Sequence, residues 1–267
     1  MRRFVILTTW RTGSTHLVRL LNSHPHVRCY GELMRSSFRI HKSLPDLDRR
    51  YADSAYRHEH NLAYMDAIEA LTARASVIGF KLLVRHDEGL RLLRRLVLER
   101  GFEVILLSRQ NLLAVYSSVR LKRKTGQGQA RGAQQAIQES VYFDRADFAD
   151  YAERMTRAYA EARHVLGQLG CRVLSLEYLE LGDGTLEKRL TDFLGVPERR
   201  LRSPFKKLNA SNILARFENP EDARAYLEEQ GLLHWAEEGT APQMSTAEAP
   251  TRPLGGLAAD AAHRKGP

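Results

Sequence analysis

Four apolar residues, Phe4, Val5, Ile6 and Leu7, run without interruption and then break into Thr8-Thr9-Trp10-Arg11-Thr12-Gly13-Ser14. Leu17, Leu20 and Leu21 follow at helical spacing, so the unit reads strand, loop, helix. The alternation continues downstream. Strands are predicted at Val27–Tyr30, 77–84, 103–107 and 172–176. Helical patterns cover 88–100, 112–123, 133–142, 148–169 and Leu186–Leu194, the last closed by Gly195 and Pro197. Strands alternating with helices imply an α/β chain with a central, mainly parallel sheet flanked by helices in three layers. Gly126 and Gly128 mark a loop over 126–129.

Composition narrows the class. A chain of 267 residues can bury a substantial core without staples. Its two cysteines, Cys29 and Cys171, form no CxxC or Cys/His cluster, which argues for a reducing compartment and against structural zinc. The opening Met1-Arg2-Arg3 reaches Arg11 too soon for a signal-peptide core, and no run approaches ~18 apolar residues. The expectation is a cytoplasmic protein with no integral membrane segment. From Gly239 the chain turns to Pro, Ala, Gly, Ser and Thr without an apolar face, so one domain at 1–238 and a disordered tail at 239–267 are expected. The formal net charge of +9 suggests an anionic partner. No RNP, zinc-finger or helix-turn-helix signature accompanies that charge, so nucleic acid is not the expected partner.

The loop after the first strand supplies a more specific anion site. A loop opening a helix can aim backbone N–H groups at an anion, and Gly13 lets the backbone approach closely. Ser14 and Thr15 add hydroxyl donors and Arg11 a planar cationic fork. The plainer alternative is that Ser14 or Thr15 only caps the helix. A Walker A loop would read GxxxxGK[ST], but Thr8 stands at its first glycine and Ser14 at its lysine. The phosphate cradle therefore stands without the residue that reaches a nucleoside triphosphate, which disfavours a P-loop kinase or NTPase. A P-loop-like fold remains the expectation.

The segment from Phe4 to Met34 resembles the opening of sulfotransferases that use 3′-phosphoadenosine 5′-phosphosulfate. It is especially similar to bacterial carbohydrate enzymes, including the rhizobial Nod-factor sulfotransferases. The matching elements are Arg11-Thr12-Gly13-Ser14 and the pair His24-Pro25. A second segment, with Arg109 at a strand end and Ser117 eight residues on, resembles the family's element for the donor's 3′-phosphate. Alone, each would read as a surface residue. Glu177-Tyr178 leading to Phe193-Leu194-Gly195 is a third, fold-level echo. Lys206-Lys207 and the later Phe217-Glu218-Asn219 resemble the late donor-contacting region, although the RKGxxG element of animal cytosolic enzymes is absent.

The resemblance implies a sulfuryl transfer from the phosphosulfate donor to a hydroxyl, on a carbohydrate, glycolipid or other small molecule. Arg11, Thr12, Gly13, Ser14 and Thr15 would hold the 5′-phosphosulfate, Arg109 and Ser117 the 3′-phosphate, and Lys207 would also contact the donor. The leaving group is already a weakly basic phosphate, so no metal is required. Glu32, which follows the His-Pro pair as the family's catalytic glutamate does, is the implied general base. Read without the family, Glu32 pairs with a surface arginine. Lys81, ending its strand, either reaches the sulfuryl oxygens or acceptor, or snorkels from a sheet edge. His24 suits a structural role at a helix end. The basic group Arg120, Lys122, Arg123, Lys124 and Arg131 reads as a solvated helix end. Oligomeric state is not legible in the residues.

Overall fold

The structure, a computed structural model, describes residues 1–239 apart from 73, 85, 127–129, 132–138, 204 and 207–210. The first apolar run lies within β1 (Arg2–Thr8), followed by α1 (Ser14–Asn22) and β2 (Val27–Tyr30). Two 3-10 turns lead into α2 (Ser54–Glu59) and α3 (Asn61–Leu71). Next come β3 (Val77–Leu83), α4 (His86–Arg100), β4 (Glu103–Ser108) and α5 (Leu112–Thr125). The short β5 (Ala130–Arg131) precedes α6 (Arg145–Leu169), β6 (Val173–Glu177) and α7 (Leu186–Leu194). The short β7 (Phe205–Lys206) and α8 (Pro220–Glu229) complete the named elements.

Five strands form one sheet in the order β2-β3-β1-β4-β6, and each pairs in parallel with its neighbours. Because side chains alternate across a strand, β1 serves two cores. Phe4 and Ile6 join Ile105 and Leu107 of β4 against Leu17 and Leu21 of α1 and Leu190 and Phe193 of α7. Val5 and Leu7 face the other way, with Ile78, Phe80, Val104 and Leu106, against α3, α4 and α6. All four residues of the run are fully buried, which is why it lacks the polar alternation of a half-exposed strand. Each such side chain contributes about 1.5–3 kcal/mol by leaving water. Register adds a further condition: Phe4 pairs with Gly79 of β3, and its ring lies where a Cβ on that glycine would project.

A third core lies beyond the sheet. Leu113 and Tyr116 of α5, Phe148 of α6, and Tyr226 and Leu227 of α8 enclose Phe143 and Phe217. This core explains one departure from the sequence reading. The helix expected over 133–142 lies largely outside the described residues, and its end is not helical. Val141 instead forms a parallel bridge to Phe217, with its N–H bonded to the Arg216 carbonyl, which carries Phe143 into this core. The tail expected from Gly239 lies, except for that glycine, outside the described residues. Among the described residues no helix is long and apolar enough to cross a membrane.

Candidate active site

All five strands end at one edge of the sheet, where open α/β sheets bind ligands, and the expected site residues gather along it. The loop after β1 is tied down from within. Thr8 Oγ1 and Thr12 Oγ1 share a 2.6 Å hydrogen bond, and Thr12 also donates to the Thr9 carbonyl at 3.2 Å. Tyr159 of α6 braces it from below, donating to the Leu107 carbonyl at 3.1 Å and accepting from the Thr9 N–H at 3.3 Å. Thr12 is 1% exposed, and its hydroxyl is bonded inside the loop.

Two residues of the loop adopt the left-handed conformation. Arg11 has φ 63°, the only non-glycine with positive φ among the described residues, and Gly13 has φ 78°. Gly13 stands at the N-cap of α1 with no side-chain cap, so the first N–H groups of the helix, beginning at Ser14 and Thr15, point toward the edge. A Cβ on Gly13 would lie 2.7 Å from Leu181 and 2.8 Å from Tyr178 in the 3-10 turn Tyr178–Gly182. Arg11 Nε donates to Ser118 Oγ at 2.8 Å, and burial together with the nearby charge of Arg109 lowers its pKa.

Across β4 lies a second cationic centre. Arg109 is 7% exposed, not the surface residue it would be if read alone. Its Nη1 donates to the Arg11 carbonyl at 2.8 Å, and its guanidinium lies over the Tyr178 ring at 4.0 Å. Its Nε is buried and makes no hydrogen bond among the described residues. Ser117 is fully buried, donates to the Ala114 carbonyl at 3.1 Å and accepts from Arg216 Nη1 at 3.2 Å. Burial depresses the Arg216 pKa to about 10, with Arg109 adding to the effect and Glu238 opposing it. Glu238 accepts from Arg109 Nη2 and lies 3.6 Å from Arg216 Nη2.

On the other flank Glu32 follows β2, and Lys81 points at it from β3. Lys81 Nζ meets Glu32 Oε1 at 2.7 Å, with side chains only 10% and 16% exposed. β3 lies inside the sheet, so Lys81 does not snorkel from an edge. Arg35 approaches the other carboxylate oxygen at 3.6 Å. Lys122 of α5 lies within electrostatic reach of both flanks. Its pKa is lowered first by burial, then by the charges of Arg11 and Arg35, while Glu32 opposes them.

The structure thus brings together Arg11, Thr12, Gly13, Ser14, Thr15, Arg109 and Ser117, with Glu32 and Lys81 alongside. Lys207 lies outside the described residues. Sequence reasoning did not single out Arg216, Ser118 or Glu238. The only signal for Arg216 was a lone cation within Ile213-Leu214-Ala215-Arg216-Phe217, next to the late segment already noted. His24 is buried at the end of α1, its Nε2 3.0 Å from the Pro197 carbonyl and its Nδ1 accepting from the His26 N–H. Among the described residues no group of three or more His, Cys, Asp or Glu side chains could hold a metal ion.

The chain is similar to known proteins. A sequence profile described as the sulfotransferase family matches residues 3–95. Nodulation protein H of Rhizobium tropici is 31% identical over 210 residues, covering 74% of this chain and 77% of that protein. A solved sulfotransferase domain from the curacin biosynthetic pathway aligns over 74% of this chain and 76% of that one, at 17% identity and a TM-score of 0.44. On the profile match and the breadth of the likeness to nodulation protein H, the chain belongs to the sulfotransferase family and is an enzyme, a sulfotransferase.

Proposed function

We propose that this sulfotransferase takes its sulfuryl group from 3′-phosphoadenosine 5′-phosphosulfate and delivers it to a hydroxyl of a carbohydrate or glycolipid. The observation that carries the reading is the pairing of two anion-seeking centres on one sheet edge. The uncapped start of α1 with Arg11 suits a 5′-phosphosulfate. The buried Arg109–Arg216 pair suits a 3′-phosphate, and the 2.8 Å bond from Arg109 to the Arg11 carbonyl ties the two centres together. The carbohydrate acceptor follows from the resemblance to the Nod-factor enzymes.

In this reading Glu32 is the general base. Its Oε1 is held by Lys81, and Arg35 stands beyond hydrogen-bond reach of Oε2, which leaves that oxygen to take the acceptor's proton. The acceptor oxygen then forms its bond to sulfur as the sulfur–oxygen bond to the 5′-phosphate breaks. Adenosine 3′,5′-bisphosphate leaves, and the proton resides on Glu32. Lys81 orients the carboxylate and places a positive charge beside the reacting centre. Gly13, Ser14 and Thr15 offer backbone N–H groups and hydroxyls, whereas the Thr12 hydroxyl is spent inside the loop, holding its shape.

Two measurements test this. Calorimetry should show adenosine 3′,5′-bisphosphate binding to the enzyme, weakened about 10-fold or more in Arg109→Ala, which removes charge-assisted hydrogen bonds. Labelled-sulfate transfer to a panel of glycans should fall about 10²- to 10⁴-fold in Glu32→Gln, with nucleotide affinity retained. No binding of the bisphosphate would overturn the donor assignment, and full turnover in Glu32→Gln would remove that residue from the chemistry.

A further inference from the structure

In this structure a carboxylate of the protein occupies the pocket read above as the site of the donor's 3′-phosphate. The Glu238 side chain is 3% exposed and lies against both buried guanidiniums, those of Arg109 and Arg216. Two cations so close and so dry repel each other and require an anion between them. Glu238 meets that need only in part, because Arg109 Nε, buried beside it, still makes no hydrogen bond among the described residues. A phosphate carries more charge than a carboxylate and three acceptor oxygens, so it satisfies this arrangement better.

The segment that delivers Glu238 lies at the surface, with Leu232, Trp235 and Ala236 packed only partly buried against the third core. It comprises the 3-10 turn Leu233–Ala236 and the residues just after it. Asn111 Nδ2 donates to the Trp235 carbonyl at 3.0 Å, Ile213 N–H to the Ala236 carbonyl at 2.8 Å, and Glu238 N–H to the Ser211 carbonyl at 3.0 Å. None of the residues of that turn is fully buried, and Leu233 is 43% exposed. A surface segment whose side chains are only partly buried can open while the core beneath it stays folded.

We propose that Glu238 is an internal competitor for the donor's 3′-phosphate. It fills the pocket in the free enzyme and is displaced, with its strap at 232–239, when the nucleotide binds. It returns as adenosine 3′,5′-bisphosphate departs. The strap thus lowers nucleotide affinity by the fraction of molecules in which the pocket is closed, and it assists product release. This inference rests on the assignment of the Arg109–Arg216 pocket to the 3′-phosphate.

The test measures adenosine 3′,5′-bisphosphate binding to the wild type and to Glu238→Gln, together with hydrogen exchange of 232–239 in the full-length wild type. The variant should bind the bisphosphate about 10-fold tighter, with slower dissociation and deeper product inhibition. Because removing this buried negative charge from beside two guanidiniums can impair folding, the wild-type exchange measurement stands independently. There, the bisphosphate should speed exchange in the strap, while adenosine 5′-monophosphate, lacking the 3′-phosphate, should not. Equal affinities with unchanged strap exchange would overturn the proposal and leave the donor assignment intact. Opening by the monophosphate to the same extent would also overturn it. Absence of bisphosphate binding in both proteins would overturn the assignment and the proposal together.

Discussion

Gly13 carries two constraints at once: a left-handed backbone at φ 78° and a neighbouring turn, with Tyr178 and Leu181, already in the space of a Cβ. Gly13→Ala should therefore cost about 2–4 kcal/mol of stability, from left-handed strain plus overpacking, read as a lower urea midpoint. It should also abolish nucleotide binding at concentrations that saturate the wild type, because the loop and the Tyr178 ring under Arg109 shift together. Arg11 pays the same backbone strain without being a glycine, and that is the kind of strain functional loops retain. At this scale the sequence revealed the residues that share a short motif: Arg11 with Gly13, and Arg109 with Ser117. Arg216 and Glu238 escaped it for a physical reason. Each lies more than 90 residues beyond Arg109 in the chain, and an isolated charged residue ordinarily faces solvent, so only the folded topology shows that they are buried against one another.

α1 illustrates how an element can be tuned as a unit. Its N-terminus faces the edge where an anion is expected, and its third residue, His16, has its pKa lowered by burial. In the unfolded chain that imidazole titrates near 6.5, whereas in the folded chain it takes up its proton only at lower pH. Below 6.5 the unfolded state consequently binds more protons, and stability should fall as pH drops through that region. Denaturant midpoints measured from pH 8 to 5 should show the decline, and His16→Gln should flatten its share of it. Elements with a strong periodic pattern or a clear end were legible: β2 and α7 have the predicted bounds, and α6 begins three residues earlier than expected. α2 was not legible, because six residues are too few for a helical period and its anchor contradicts the usual rule. Arg57 is fully buried and donates to the carbonyls of Tyr51, Ala52 and Arg35. With His58, whose Nε2 lies 2.9 Å from the Met34 carbonyl, it fastens the turn that presents Glu32.

For the whole molecule, the division of labour between the two halves matters most. The family profile spans 3–95 and so covers the phosphate loop, Glu32 and Lys81. Arg109, Ser117 and Arg216 lie beyond that span, on segments that pack the third core. A bisphosphate nucleotide would bridge the two parts, and linkage then gives a whole-molecule prediction. At 100 times its dissociation constant, adenosine 3′,5′-bisphosphate should add about 2.7 kcal/mol and raise the melting temperature by about 5–10 °C. Adenosine 5′-monophosphate, reaching one centre only, should do less at equal concentration. The parallel sheet was readable from alternating strand and helix patterns, whereas the third core was not. It is assembled from distant pieces such as Val141, Phe143 and Phe217, none with a period of its own. The positions of the aromatic side chains have a practical consequence. The chain contains two tryptophans, each in a different part: Trp10, 41% exposed, in the phosphate loop, and Trp235 in the strap, packed against the third core. With one replaced by phenylalanine, the intrinsic fluorescence of the other becomes a native optical reporter, so that loop engagement and strap motion can be timed separately without attaching a dye.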